Sequence, residues 1–372
     1  MPDAVANRYQ LDLEVAEGPL STLHRGTVRG DHGFSRVVAI RDLHRPLAGD
    51  RRFVGTWAAT AAELAETPSP HVEQVFDVVA QDGHVYVISE WIAGVSLRRW
   101  IAAHAEPVPW PLAVEVAIEA LRGLVDAHAR TPALCHDGLC SAAVRIARDG
   151  TVKLTRFGAA TALATTGMGR RRLEELGLRH PAPELVTGGD AGPSTDQLGV
   201  GALLYEMLAG APPYPPEPGP ERDAQVTGEP PDLATARPDV PPLLVALVER
   251  ALSPEPEARF GSVTEMAQAL ARLLRSHPEP TGPEVLAASL QGLERDAAAA
   301  EAPAFAAPIE VDDETPGGPA ALAASVRGLL RDAGKAPQGL GGEVAQQRTM
   351  HVTADELEEI RERLESSPAP VA

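Results

Sequence analysis

Two patterns of apolar positions divide the first 278 residues. Between Tyr9 and Tyr86, short apolar stretches with turn residues at 31–33 and 82–83 predict five strands of a largely antiparallel sheet. An alanine-rich stretch at 53–67 has apolar or small residues at helical spacing and predicts one interposed helix. From Ser96 onward the helical period dominates, most clearly at 111–130, 195–210 and 241–253. An α+β fold is therefore predicted, with a small β-rich part before a larger helical part.

The composition changes after about residue 277. Of the 14 aromatic residues, 13 precede residue 279, and residues 279–372 hold 7 Lys+Arg against 17 Asp+Glu. A stretch so rich in proline, alanine and acid lacks the apolar surface that would offset chain entropy. Residues 278–372 are therefore predicted to be a mostly disordered acidic tail.

The tail contains a duplicated segment. Residues 282–297 and 318–333 agree at 11 of 16 positions, and a capping box predicts a third short helix at about 353–365. In each copy three apolar residues fall on one helical face: Leu286, Leu290 and Leu293 in the first, and Leu322, Val326 and Leu329 in the second. We expect these stripes to bind a protein partner such as another kinase or signalling protein; the alternative is a duplicated spacer helix that binds nothing.

Charge and targeting signals narrow the setting. The net charge of −19 disfavours binding to nucleic acid or anionic membranes. Two cysteines form no disulfide framework, and the N-terminal residues lack the order of a signal peptide. A cytoplasmic location is expected.

Eight local strings in order resemble the eukaryotic-type Ser/Thr protein kinases of bacteria. They include VVAIR, VYVISEWIAGVSLRRWI, CHDGLCSAAVRI, VKLTRFGAA, HPAPEL and ALSPEPEARFGSVTEMAQAL. The resemblance implies a bilobal kinase-like domain at 8–277, with the N-lobe at about 8–91 and the C-lobe at about 92–277.

The same alignment indicates that the catalytic positions have changed. Arg41 stands where the family has its phosphate-binding lysine, Gly138 replaces the catalytic aspartate, and Ala143 and Arg156 replace the metal ligands. An arginine at a metal-ligand position reverses the charge that a dication requires. The resemblance therefore predicts a pseudokinase: not an enzyme, without catalytic residues and without a bound metal.

The nucleotide cleft is expected to be altered as well. Its candidate lining residues are Gly18, Ala39, Arg41, Glu90, Arg145 and Arg156. Three converging arginines require internal acids or a bound anion, and Glu63 is the candidate partner, although the family's helix glutamate aligns nearer Thr60. No cofactor is expected, and binding of ATP without metal is the alternative.

Positions that support the fold are retained, according to the resemblance. His136 and Phe157 match stacking positions between the lobes, Glu184 and Arg259 match an ion pair, and Asp196 matches the carboxylate that holds the catalytic loop.

The leading hypothesis is a catalytically inactive kinase-like scaffold or allosteric regulator in phospho-signalling. One alternative is an atypical Ser/Thr kinase with residual ATP-dependent phosphotransfer that uses Arg41 and Asp137 in displaced roles. Another is a sensor that binds an anion or metabolite in the arginine-lined cleft.

Overall fold

A computed structural model describes residues 4–66, 68–130, 133–166, 180–215 and 219–301. The predicted helices at 318–333 and 353–365 lie outside the described residues, as do Leu322, Val326 and Leu329.

The N-terminal part is a six-stranded antiparallel sheet. Its strands are β1 (Ala4–Val5), β2 (Tyr9–Glu17), β3 (Ser21–Arg29), β4 (Ser35–Leu43), β5 (Val75–Gln81) and β6 (His84–Glu90), and their order across the sheet is β1-β2-β3-β4-β6-β5. Asp82 and Gly83 both have positive φ, 52° and 79°, which suits the tight hairpin between β5 and β6. This confirms the predicted strands.

The helix predicted inside this sheet region is also present. After the short α1 (Arg45–Ala48), α2 (Arg51–Ala65) begins where the Asp50 carboxylate accepts hydrogen bonds from two backbone amides of its first turn. Its buried residues Phe53, Trp57, Thr60 and Ala61 share one face, which packs between the sheet and the short helix Ala159–Ala164 of the helical lobe.

The helical lobe is built on two long helices that are buried on most sides. Gly201 allows one of them to approach a neighbour closely, because an added Cβ would lie 2.7 Å from the Ala251 Cβ. Within the described ranges the helices are α3 (Leu97–Ala103), α4 (Trp110–His128), α5 (Ala159–Ala164), α6 (Pro183–Val186), α7 (Pro193–Ala209), α8 (Pro220–Val226), α9 (Leu233–Ala236), α10 (Pro242–Ala251), α11 (Val263–Leu274) and α12 (Pro283–Glu301). The predicted α+β order is confirmed.

A small sheet places two of the candidate arginines. Strands β7 (Gly94–Ser96), β8 (Val144–Ala147) and β9 (Val152–Leu154) pair antiparallel in that order. Arg145 lies within β8, and Arg156 follows β9 with a left-handed φ of 65°. Both side chains are thereby directed from one sheet toward the region between the lobes.

The folded unit extends beyond the predicted boundary at residue 277. Helix α12 lies within the compact unit that reaches Pro303. Leu286 and Leu290 are 0% and 2% exposed in the core of the helical lobe, and Leu293 packs against it. These three residues were predicted to bind a partner and to lie in a disordered tail. The structure corrects this, because their apolar stripe is covered by the chain's own domain.

Candidate functional site

A histidine and an aspartate fix the backbone of the loop that contains Gly138. The Asp196 carboxylate accepts hydrogen bonds from the backbone amides of His136 (2.8 Å) and Asp137 (2.9 Å). His136 Nδ1 lies 3.3 Å from the Gly138 amide, which donates to it, so Nε2 carries the proton and donates to the Thr155 carbonyl at 3.0 Å. Burial lowers the pKa of His136, which keeps the ring neutral. His136 therefore ties backbone segments together and is not placed to relay a proton.

Asp137 is the residue of this loop whose carboxylate contacts a hydroxyl group. Its φ of 61° turns the residue into the left-handed region, and Thr161 Oγ1 donates a hydrogen bond to Asp137 Oδ2 at 3.0 Å. Gly138, at the family's catalytic position, is buried and offers only its backbone. An acceptor carboxylate is thus present beside a threonine hydroxyl, one residue earlier than the family places it.

Stacking completes the connection between this loop and the segment after β9. The rings of His136 and Phe157 are 4.6 Å apart between centroids. Gly158 follows with φ 77°, and an added Cβ there would lie 2.6 Å from the Thr60 Cβ of α2. The position aligned with the family's helix glutamate is therefore a buried threonine packed against a glycine.

The partner of Arg41 is an acid that the sequence analysis did not single out. Arg41 Nη1 donates to Glu73 Oε1 at 2.7 Å and to Ser89 Oγ at 3.0 Å, and Ser89 Oγ donates to the same Glu73 oxygen at 2.7 Å. The backbone amide of Arg156 donates to the other oxygen, Glu73 Oε2, at 3.3 Å. Glu63, the candidate partner from the sequence, is exposed. The prediction about Glu63 is therefore wrong.

Glu73 is buried but remains ionised. Burial by itself would raise the pKa of its carboxyl, whereas the Arg41 charge and the hydrogen bonds from Ser89, Arg41 and the Arg156 amide together lower that pKa below its ordinary value. In the sequence Glu73 stands in the polar stretch HVEQ just before β5, and no local pattern there marks it as the partner of Arg41.

Arg145 occupies the edge of the cleft where the two lobes are joined. Its Nη2 donates to the Gly94 carbonyl at 2.7 Å and to the Ile92 carbonyl at 3.3 Å. Burial lowers the pKa of this guanidinium, and the positive charge of Arg41 lowers it further. Arg145 therefore satisfies carbonyl groups of the connecting segment with its own donors.

The remaining cleft candidates are held by neighbours in the chain. Ala39 is buried in β4, and Glu90 Oε1 accepts a hydrogen bond from Lys153 Nζ at 2.8 Å. At the β2–β3 turn the Gly18 amide donates to the Ser21 carbonyl at 2.9 Å. This hydrogen bond closes the turn that aligns with the family's glycine-rich loop.

Arg156 is the least compensated of the three arginines. Its Nη2 lies 3.6 Å from Cys140 Sγ, a weak acceptor. Burial lowers the pKa of Arg156; the nearby Cys140 opposes that effect, and the positive charges of Arg41 and Arg98 add to it. A bound anion would therefore stabilise the charged form of the Arg156 guanidinium.

The two positions that should hold magnesium do not fit it. Mg²⁺ requires oxygen ligands in near-octahedral geometry. Ala143 is fully buried and has no donor atom, and Arg156 brings a positive charge. Magnesium coordination by these two residues is therefore incompatible with their chemistry.

An ion pair in the helical lobe is fully satisfied. Arg259 Nη2 and Nη1 donate to Glu184 Oε2 and Oε1 at 2.8 and 3.0 Å, and the Arg259 side chain is 0% exposed. Ser194 and Ser253 supply carbonyl acceptors to the same guanidinium. The pair supports the fold and lies outside the cleft.

Comparison with known proteins identifies the class. The model of the protein kinase domain matches residues 36–272, and the chain therefore belongs to the protein kinase family. In the described part of the chain no helix is both long and apolar enough to cross a membrane.

Two similar proteins are bacterial kinases. The chain is 27% identical over 270 residues to a probable serine/threonine-protein kinase PknB of Lactococcus lactis, covering 70% of this chain and 41% of the relative. It is 30% identical over 208 residues to serine/threonine-protein kinase PknL of Mycobacterium tuberculosis, covering 56% of this chain and 51% of the relative. The chain thus spans about half the length of these relatives, or less.

A solved structure supports the fold. The crystal structure of the kinase domain of Mycobacterium tuberculosis PknI matches with a TM-score of 0.57 at 22% identity, covering 72% of this chain and 96% of that one. At this identity the likeness concerns the architecture alone.

These findings correct one prediction from the sequence. The chain was expected to be a pseudokinase and not an enzyme, but the matched family is the protein kinase domain and the relatives are named serine/threonine kinases. The prediction that the chain is not an enzyme is contradicted.

Proposed function

We propose that the chain is an ATP-dependent Ser/Thr protein kinase that works in phospho-signalling with a rearranged site. The observation that carries this proposal is the placement of Asp137, whose backbone is held by Asp196 and whose carboxylate accepts a threonine hydroxyl at 3.0 Å. A kinase needs such a carboxylate to orient an acceptor hydroxyl and take its proton.

In the proposed reaction the acceptor hydroxyl oxygen attacks the γ-phosphorus of ATP. The bond from that phosphorus to the β–γ bridging oxygen breaks, ADP leaves with the bonding pair, and the hydroxyl proton passes to Asp137. Arg156 supplies positive charge on the side where the phosphates would lie, as guanidinium groups do in phosphoryl transfer. No step is assigned to a metal held by Ala143 and Arg156, because those positions do not fit one.

Phosphate incorporation tests the proposal directly. We expect the full chain to incorporate phosphate from γ-labelled ATP, with Thr161 as the first acceptor to examine by mass spectrometry because its hydroxyl already donates to Asp137. Asp137→Asn should lower the rate about 10²- to 10⁴-fold. Asp149→Asn, an exposed aspartate in the β8–β9 turn, is the matched control and should leave the rate unchanged. Equal rates in the two variants would refute the role of Asp137, and no incorporation by the unaltered chain would refute the kinase proposal.

A second candidate function is regulation by an anionic ligand in the cleft. The half-buried Arg156 favours it, because the nearest acceptor to its guanidinium is the weak Cys140 Sγ at 3.6 Å and the positive charge of Arg41 lies nearby. A phosphorylated small molecule would neutralise this charge and alter the position of the lobes.

Thermal stabilisation by inorganic triphosphate, with and without Mg²⁺, tests this second candidate. Ligand binding raises the melting temperature by mass action. Stabilisation without Mg²⁺ that disappears in Arg156→Gln, and persists in the exposed-site control Arg29→Leu, would support an anion site. The same shift in Arg156→Gln as in the unaltered chain would rule it out.

A further inference from the structure

The surface that holds α12 is a groove made by the helical lobe. Pro283 closes one end, since an added Cβ on Gly150 would lie 1.7 Å from the Pro283 carbonyl oxygen. Leu286 and Leu290 are buried along the helix, and Leu293 packs at the far end. The groove therefore holds a helix that begins at Pro283 and has apolar residues at i, i+4 and i+7.

An open pocket of about 310 Å³ lies beside Leu293 at the far end of the groove, among the side chains that the structure describes. It is lined by Val95, Arg99, Trp100, Ala102, Ala103, Leu290 and Leu293. A peptide with one more apolar residue beyond Leu293 would have room to bury it.

The second copy of the repeat, outside the described residues, is similar in sequence to the segment that the groove holds. Segment 318–333 retains the glycine-proline start and has leucines at the positions of Leu286 and Leu293. Valine replaces Leu290, with the loss of one methylene, and Leu330 stands where the first copy has Glu294. Position 294 lies eight residues after Leu286, on the same helical face. The second copy therefore has the additional apolar residue that the cavity could accept.

We propose that segment 318–333 of the same chain is an alternative occupant of the α12 groove and exchanges with α12. This proposal rests on the groove and the duplicated sequence, and is independent of the proposed function. The linker between the two copies reaches roughly 25 Å as a flexible chain, which is enough to pass from one end of the groove to the other. Attachment to the same chain gives an effective concentration in the millimolar range, well above that of a second molecule in dilute solution.

Loop length sets the expected ratio of the two occupants. The loop that connects the end of α11 to the groove comprises residues 275–285 when the first copy is bound. It comprises residues 275–321 when the second copy is bound. The longer loop disfavours the second copy by about ninefold if both bind the groove equally well. The second copy is therefore expected in the groove for about a tenth of the molecules.

Disulfide trapping in the full chain measures this occupancy. Ala103 lines the cavity, so Ala103→Cys combined with Leu293→Cys reports the first copy, and Ala103→Cys combined with Leu329→Cys reports the second. Ala103→Cys with Ala345→Cys, a tail position outside both copies, gives the background. Mass spectrometry separates the engineered disulfides from any that involve the two native cysteines.

We expect the disulfide between positions 103 and 329 to form within single chains, at a level above the background. Adding Leu286→Asp places a charge at a buried contact and should raise the trapped fraction from about a tenth to more than half. Leu322→Asp should abolish it, and Leu243→Asp, at a leucine that is 57% exposed, should not change it. Trapping at the background level with Leu286→Asp present, or trapping only between chains, would overturn the proposal.

Discussion

Replacing Glu73 by glutamine should destabilise the domain strongly. Glu73 is 5% exposed and accepts hydrogen bonds from Arg41, Ser89 and the Arg156 amide. Glutamine keeps the volume but removes the negative charge, and so leaves the Arg41 guanidinium, 11% exposed, without its counter-ion. Removing one partner of a buried ion pair costs about 3–5 kcal/mol. That is a large part of the roughly 5–15 kcal/mol that stabilises a typical domain.

Urea denaturation followed by circular dichroism gives the measurement. A loss of about 3 kcal/mol should lower the denaturation midpoint by about 1 M, given the slopes usual for domains of this size. The double variant Glu73→Gln with Arg41→Met should recover most of the loss, because the apolar replacement of Arg41 removes the uncompensated charge while glutamine still accepts from Ser89.

A surface pair provides the control. Asp239 pairs with Arg237 but is 62% exposed, so Asp239→Asn should not shift the midpoint measurably. If Glu73→Gln behaves like Asp239→Asn, or if Arg41→Met adds its own full cost to that of Glu73→Gln, the reasoning about a buried pair is refuted.

Three further predictions concern other parts of the domain. Burial, and then the neighbouring Glu119 carboxylate, raise the pKa of Glu115, so the folded state binds more protons than the unfolded state. The free energy of unfolding should therefore fall as the pH rises through that raised pKa. Denaturation curves from about pH 4.5 to 7 should show this fall, and Glu115→Gln should make stability less dependent on pH. Gly150→Ala should expose the chain near Pro283 to limited proteolysis, because its Cβ would clash as well as strain φ; Gly83→Ala, which has positive φ but nothing within 4 Å, should not. Burial raises the pKa of Cys135 to about 12, so iodoacetamide at about pH 8 should label it about 10³-fold more slowly than a free cysteine, and denaturant should remove the difference.

Periodicity was enough to predict the sheet and the main helices. Alternation and turn residues located β2 to β6, and α2 was indicated by apolar or small residues at helical spacing over 53–67. The Asp50 cap that begins α2 was found only in the structure. Such signals are local, because each depends on residues within a few positions of one another.

The site was harder to predict because its partners are distant in the sequence. Arg41 was recognised as a cation that needs an acid, but Glu73, 32 residues later, was found only in the structure. An amphipathic stripe likewise does not show which surface covers it. Leu286 and Leu290 therefore gave the same signal whether they bound a partner or, as observed, their own domain.

The Glu73 carboxylate has a mechanical consequence for the domain. It receives hydrogen bonds from β4 through Arg41, from β6 through Ser89 and from the segment after β9 through Arg156, so one side chain joins both lobes. The Glu73 amide also donates to the Leu154 carbonyl at 2.8 Å. Opening of one lobe would thus break contacts that the other lobe needs. Calorimetry should accordingly record a single heat-absorption peak for the two lobes in the unaltered chain.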